Sequence, residues 1–76
     1  MTKKGENDMQ RLRYIGMDRH ARPVYQDEET GQKWKDTDPR SHVPASLYST
    51  AFNTFEGEPE RPIRGEYMLL PKRKTW

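Results

Sequence analysis

The sequence predicts a small domain of mainly β structure, folded as an antiparallel meander or a half-open barrel of four or five short strands. Two observations indicate this fold class. Short segments rich in aromatic and β-branched residues recur along the chain, and turn-forming residues separate them about every ten positions. Since domains usually contain ~50–250 residues, the 76 residues provide for one domain.

We expect residues 11–71 to form this domain. Residues 1–10 are polar and lack hydrophobic periodicity, which predicts a disordered leader, and residues 72–76 form a short basic tail. Only 30% of the chain is hydrophobic, so the core must be small. Its expected members are Leu12, Tyr14, Ile15, Met17, Val24, Tyr25, Trp34, Val43, Leu47, Tyr48, Phe52, Phe55, Ile63, Tyr67, Leu69 and Leu70.

The first strand is expected over residues 11–17, where side chains alternate with a period of two. Gly16 indicates a β-bulge in this strand, because an isolated glycine in a strand pattern marks such irregularities. After a turn over residues 18–21, Pro23 is placed at the first position of the second strand, since proline cannot donate to a sheet ladder.

The clearest local signal is a β-hairpin over residues 23–36. Two β-favouring segments, VYQ and KWK, flank the sequence DEETG. Its acidic residues open a turn, and Gly31 supplies the positive φ that lets the second strand begin. Tyr25 and Trp34 are expected to be neighbours across the pair, where an aromatic contact contributes ~0.2–1 kcal/mol.

The segment over residues 47–55 fits two kinds of structure. Apolar residues at every fourth position suit a short helix near residues 44–52, whereas alternate β-favouring residues suit a strand, which we favour. Residues 55–62 are dense in proline, glycine and charge and predict a loop. A last strand is expected over residues 66–70.

The chain contains no cysteine, which excludes disulfides, thiolate catalysis and cysteine-ligated zinc. Secreted domains of this size normally depend on disulfides, so we expect a cytoplasmic protein. The longest run of aliphatic side chains comprises only Met68, Leu69 and Leu70. Such a run is too short for a membrane span or for the apolar region of a signal peptide.

Charge is segregated along the chain. The net charge is +3 over residues 1–23, −5 over residues 24–60 and +4 over residues 61–76. We favour mutual neutralisation, in which basic terminal strands lie beside an acidic central hairpin. The alternative is a basic face that binds nucleic acid.

The sequence carries no recognisable catalytic or metal-binding pattern. His20 and His42 lack further ligands at metal spacing. The acidic clusters at residues 36–38 and 56–60 do not match a calcium loop, and we assign them to turn capping and solvation. Nucleophile elbows, phosphate loops and dinucleotide motifs are also missing. We therefore expect a non-enzymatic protein without a metal or cofactor.

Basic residues next to aromatic residues are candidates for nucleic-acid contacts. Those at the two ends of the expected domain are Arg11, Arg13, Lys72, Arg73 and Lys74. Lys33 and Lys35 flank Trp34 and should point to the opposite face of their strand. We therefore assign the aromatic side chains to the core, because the chain has few aliphatic residues to fill it.

A series of short motifs extends over residues 22–63. They are Arg22-Pro23-Val24-Tyr25, Asp27, Gly31, Trp34-Lys35-Asp36, and Phe55-Glu56-Gly57-Glu58-Pro59 ahead of Ile63. These motifs resemble small domains associated with the large polyvalent proteins of phages and conjugative elements.

The resemblance implies an accessory module that binds a partner protein or nucleic acid in a bacterium carrying a mobile element. It implies structural roles for Pro23, Gly31 and Gly57 in backbone shape and for Trp34 and Phe55 in the core. Exposed recognition would then fall to Glu56 and Glu58, which lie in a loop. The expected function is a non-catalytic interaction module for a protein partner, with a small nucleic-acid-binding domain as the alternative.

Overall fold

The structure, a computed structural model, describes residues 9–40 and 43–71. In this part of the chain six strands form one mixed sheet, and a single 3₁₀ turn follows the fourth strand. The elements are β1 (Gln10–Met17), β2 (Pro23–Asp27), β3 (Lys33–Asp36), β4 (Leu47–Thr50), the 3₁₀ turn (Ala51–Asn53), β5 (Pro59–Pro62) and β6 (Tyr67–Leu70). The mainly-β fold class is confirmed, with six strands instead of four or five. The loop predicted over residues 55–62 is wrong for its second half, because Pro59–Pro62 pairs with β4 as strand β5.

The strand order is β5-β4-β3-β2-β1-β6. Strands β1 to β5 form the expected antiparallel meander, but β6 pairs in parallel with β1. Strands β5 and β6 thus lie at opposite edges although only residues 63–66 connect them. A flat six-stranded sheet would separate its edges by about 24 Å, whereas this link spans at most about 18 Å. The sheet must therefore curl, and it remains an open sheet instead of a closed barrel.

The hairpin of β2 and β3 is confirmed, with Tyr25 directly opposite Trp34. Asp27 closes the turn, because its Oδ1 accepts hydrogen bonds from the backbone N–H groups of Glu29 and Thr30 at 2.7 and 3.1 Å. Gly31 has a φ of 81°, which is the left-handed conformation expected for it. Among the acidic residues of this turn, Asp27 therefore caps backbone groups.

The inner face of the curled sheet carries the main core. Leu12, Tyr25 and Leu47 are buried there. The half-buried residues that pack against them are Trp34, Ala45, Ile63, Tyr67 and Leu69. This small set agrees with the low hydrophobic content of the chain.

Three residues expected in the core are exposed instead. Tyr14 is exposed because β6 pairs only with residues 10–13 of β1, which leaves one side of Tyr14 uncovered. The centroids of the Tyr14 and Tyr25 rings are nevertheless 5.7 Å apart. Met17 ends its strand and is also exposed. Phe52 is 94% exposed because the backbone turns at this residue.

The bulge predicted at Gly16 is confirmed by a register shift in the pairing of β1 with β2. For the segment over residues 47–55, the favoured strand is confirmed for residues 47–50. The only helical geometry in this segment is the short 3₁₀ turn over Ala51–Asn53. The predicted leader spans residues 1–10, but Gln10 is the first residue of β1 and pairs with Tyr67 of β6. Residues 1–8 of that leader and the basic tail at residues 72–76 lie outside the described residues. No helix in the described ranges is long and apolar enough to cross a membrane.

Candidate binding surface

At the predicted basic site on β1, one acidic residue of the neighbouring hairpin offsets one of the two positive charges. Arg11 Nε lies 3.3 Å from Glu28 Oε1, and Arg13 pairs with the other oxygen of the same carboxylate. Both arginines remain largely exposed. This pairing agrees with mutual neutralisation of the charge segments. Lys72, Arg73 and Lys74, the other basic candidates, lie outside the described residues.

The two glutamates expected to act in recognition have separate surroundings. Glu56 Oε1 accepts hydrogen bonds from the backbone N–H of Arg19 at 3.1 Å and from Arg19 Nε at 3.3 Å, so it joins its loop to the β1–β2 turn. The Glu58 side chain is exposed, and its backbone oxygen accepts from Ala51 N–H at 2.9 Å. They do not form one site with the β1 arginines.

The residues predicted to be structural lie at a strand start, in the core and at two close backbone approaches. Pro23 is the first residue of β2, and Tyr25 is buried in the main core. Phe55 is half-buried and lies close to Gly16, where an added Cβ would be 3.3 Å from its ring. At Gly57 an added Cβ would be 2.8 Å from Ala51 N, so this glycine allows close approach of two backbone segments.

An open groove of about 620 Å³ lies at the β3–β4–β5 side of the sheet. Its lining residues are Gln32, Trp34, Ser49, Arg61, Pro62 and Arg64. Trp34 and Ser49 are directly opposite each other on neighbouring strands. The groove therefore combines an aromatic ring with polar groups and two cations.

The two arginines of this groove differ from the other arginines of the described ranges. Five arginines pair with carboxylates: Arg11, Arg13, Arg19, Arg22 and Arg40. Arg61 and Arg64 make no ion pair with another described residue, and both side chains are exposed. The groove thus carries positive charge that the described residues do not neutralise.

Trp34 contributes an unsatisfied hydrogen-bond donor beside this groove. Its indole Nε1 is buried and has no hydrogen-bond partner within residues 9–40 and 43–71. Leaving a buried donor unpaired costs about 1–3 kcal/mol. An acceptor supplied by a ligand can offset that cost if the ring moves to meet it.

Phe52 lies on a strained turn next to the groove. Phe52 and Asn53 have φ values of 56° and 53°, in the left-handed region that bulky side chains rarely adopt. Such residues cost of order 1–3 kcal/mol each, and they persist only where surrounding contacts hold them. The turn therefore requires specific support.

Asn53 supplies this support by binding the end of the β2–β3 hairpin. Its Oδ1 accepts from Lys33 N–H at 2.7 Å and from Gln32 Nε2 at 3.2 Å, and its Nδ2 donates to Gly31 O at 3.2 Å. At the other end of the turn, Thr54 Oγ1 donates to Ala51 O at 2.9 Å. The backbone that presents Phe52 is thereby held on both sides.

Sequence reasoning missed Phe52 because its alternation with neighbouring β-favouring residues suggested a buried strand position. The signal that could have found the turn is Asn53, since asparagine tolerates the left-handed conformation better than most residues. The groove could not be found in this way, because three strands contribute to it.

A buried ion cluster lies on the outer face of the sheet. Lys35 and Asp18 are fully buried at their side chains, and Lys35 Nζ lies 2.8 Å from Asp18 Oδ2. Burial raises the pKa of Asp18, but hydrogen bonds from Lys35, Arg22 and the His20 N–H outweigh it and hold that pKa well below its ordinary value. Because solvent does not reach these side chains, we assign the cluster a structural role.

Comparison with known proteins does not place the chain in a family: no protein-family model, no curated protein and no solved structure matches it. The resemblance over residues 22–63 stays a prediction. Among the described residues, no group of three or more histidine, aspartate or glutamate side chains is arranged to hold a metal ion. The groove and the Phe52 turn are the candidate site because they bring a largely exposed aromatic ring next to Trp34, Arg61 and Arg64.

Proposed function

We propose that this chain is a non-catalytic interaction module that binds a partner protein through the surface around Phe52. One observation carries this proposal: Phe52 is 94% exposed on a strained turn that Asn53 holds in place. A single exposed apolar side chain is common in proteins. A strained backbone that presents a large aromatic ring is uncommon, and such strain concentrates at functional sites.

Protein interfaces favour this arrangement energetically. Aromatic side chains are enriched among the few residues that dominate binding energy, and they act by filling a pocket on the partner. Because the hydrogen bonds of Asn53 fix the turn beforehand, less conformational freedom is lost at Phe52 on binding. Phe52 is thus well suited to anchor a partner.

The ion pairing of the described residues favours a protein over nucleic acid. The full chain has 14 basic and 12 acidic side chains and a net charge of +2, and nine of the basic and ten of the acidic side chains lie in the described residues. Most of the basic side chains pair with carboxylates, as described above for Arg11 and Arg13. Non-specific nucleic-acid binding depends on several cations that contact phosphates, and this part of the chain leaves few for that purpose.

We place the module in the cytoplasm of a bacterium that carries a phage or conjugative element, as an accessory protein. This setting is supported by the motifs over residues 22–63 alone. Two of these motifs, the β2–β3 hairpin and the loop at Gly57, contact the turn that bears Phe52: the hairpin binds Asn53, and Glu58 O accepts from Ala51 N–H.

The proposal is tested by photo-crosslinking from position 52. Phe52 is replaced in the full chain by a benzophenone-bearing analogue, and the chain is expressed in the cell that encodes it. We expect crosslinks to a defined protein. The purified partner should then bind the parent chain and bind Phe52→Ala at least about tenfold more weakly, since truncation of an aromatic anchor costs 2 kcal/mol or more.

Met17→Ala is the matched control, because Met17 is an exposed apolar residue at the end of β1. It should bind the partner like the parent chain. Crosslinks that nuclease treatment removes would favour nucleic acid and contradict the proposal. Equal affinity of Phe52→Ala and the parent chain for the crosslinked protein would also contradict it.

A further inference from the structure

We propose that the groove at Trp34 binds a carboxylate-bearing peptide segment of the partner. Arg61 and Arg64 bind the carboxylate, and the Trp34 ring packs against an apolar side chain next to it in the segment. This inference rests on the proposed function, because the segment belongs to a protein partner.

Charge complementarity is the first support. Arg61 and Arg64 are the arginines without an ion pair to another described residue, and both line the same groove. The planar guanidinium group presents paired N–H donors that match the two oxygens of a carboxylate. The other arginines already use such contacts within the chain, for example Arg40 with Asp38 at 2.8 and 3.0 Å.

The dimensions and lining of the groove are the second support. Its volume of about 620 Å³ suits a few side chains of an extended peptide. At its walls, Gln32 Nε2 already donates to Lys33 O and Asn53 Oδ1, and Ser49 Oγ accepts from Arg61 N–H. The amide oxygen of Gln32 can still accept a hydrogen bond from a peptide backbone, and the hydroxyl of Ser49 can still donate one. The indole N–H of Trp34 is buried without an acceptor among the described residues, and a peptide can supply one if the ring turns toward the groove.

The surrounding charges favour a peptide over a nucleic-acid strand. In the segment that carries the two arginines, Glu56 pairs with Arg19, whereas Glu58, Glu60 and Glu66 are exposed. A phosphate chain that crosses this segment meets repulsion beyond the two arginines. A single carboxylate, in contrast, needs no cations beyond Arg61 and Arg64 to balance its charge.

The groove also adjoins the proposed Phe52 anchor. Gln32 lines the groove, and its Nε2 donates to Asn53 Oδ1, one residue from Phe52. A partner whose pocket receives Phe52 therefore has its adjacent segment next to the groove. The two contacts can belong to one interface.

The test is a selection of short random peptides against the full chain, followed by affinity measurement. One library has free C termini and the other has amidated C termini, so that a terminal carboxylate is distinguished from an Asp or Glu side chain. We expect enriched peptides to carry a carboxylate close to an apolar residue. Arg61→Gln and Arg64→Gln should each weaken binding about tenfold or more, since hydrogen bonds to charged groups are the strong ones.

Arg40→Gln is the matched control, because Arg40 is an exposed arginine outside the groove, and it should bind the peptides like the parent chain. Enriched peptides without a carboxylate, or equal binding by the Arg61→Gln/Arg64→Gln double variant, would overturn the inference. So would a selection that enriches no peptide. A partner that requires Phe52 but is indifferent to both arginines would leave the proposed function standing and remove this inference.

Discussion

Lys35 Nζ and Asp18 Oδ2 lie 2.8 Å apart, and both side chains are fully buried. The same carboxylate oxygen accepts from Arg22 Nε at 2.9 Å, while Oδ1 accepts the backbone N–H groups of His20 and Arg22. Asp18 therefore joins β3 to the turn between β1 and β2. Removal of one partner from such a buried ion pair strongly destabilises the folded protein, because the other charge stays buried without a partner.

Lys35→Met should lower the free energy of unfolding by about 3 kcal/mol, the lower end of the range for breaking a buried pair, because Arg22 still pairs with Asp18. Urea denaturation measures this loss. The double variant Asp18→Asn/Lys35→Met should recover part of it, since asparagine can still accept from the turn N–H groups without a buried charge. A single variant as stable as the parent chain would show that the pair contributes little.

Stability should fall in acid because of Asp18. Its folded-state pKa lies below the ordinary value of 3.8, so the unfolded chain binds a proton more readily. The stabilisation is present above the ordinary pKa and is lost as the pH falls through the folded-state pKa. Urea denaturation from neutral pH to about pH 2 should show this decline, and Asp18→Asn should show a smaller one. Identical pH dependence of the two chains would contradict the assignment.

Gly57→Ala should destabilise the loop that follows the Phe52 turn, by about 1–3 kcal/mol as for other overpacked sites. The added Cβ would be 2.8 Å from Ala51 N, and backbone atoms cannot move aside as a flexible side chain can. Gly31→Ala is the comparison, because nothing lies within 4 Å of its added Cβ and only the positive φ opposes it. Thermal unfolding should rank Gly57→Ala below the parent chain. Amide shifts of residues 51–57 should change more in Gly57→Ala than in Gly31→Ala, which reaches the turn only through the hydrogen bond from Asn53 to the carbonyl of residue 31.

Asn53→Ala should release the turn that presents Phe52. It removes three side-chain hydrogen bonds to the hairpin, whereas Asn53→Asp keeps the two that Oδ1 accepts and loses the donation to Gly31 O. Backbone ¹⁵N relaxation at Phe52 should report increased motion in the order parent, Asp variant, Ala variant. Unchanged relaxation in Asn53→Ala would mean that other contacts hold the turn.

Trp34→Ala should lower stability by about 3 kcal/mol, near the lower end for a truncated aromatic, since Trp34 packs on the main core but is only half-buried. Trp34→Phe should retain most of that packing. The midpoint of thermal unfolding distinguishes the two variants. If Trp34→Ala melted like the parent chain, the ring would act only in the groove.

Much of the local structure follows from the sequence alone. The β2–β3 hairpin, its turn at Gly31, the bulge at Gly16 and the strand start at Pro23 were predicted from neighbouring residues. Each depends on the φ preference or hydrogen-bonding capacity of one residue and its immediate neighbours. That is why they could be inferred without knowledge of the strand order.

The tertiary structure decided which distant residues meet. The parallel pairing of β6 with β1 could not be inferred, because nothing near residues 67–70 specifies a partner more than fifty positions away. Lys35 alternates like a solvated residue, but its side chain is fully buried and pairs with Asp18 from the turn between β1 and β2. The groove likewise joins Gln32, Trp34, Ser49, Arg61 and Arg64 through the pairing of β3, β4 and β5. Local backbone chemistry is carried by adjacent residues, whereas burial, ion pairing and the candidate site depend on how the curled sheet brings separate strands together.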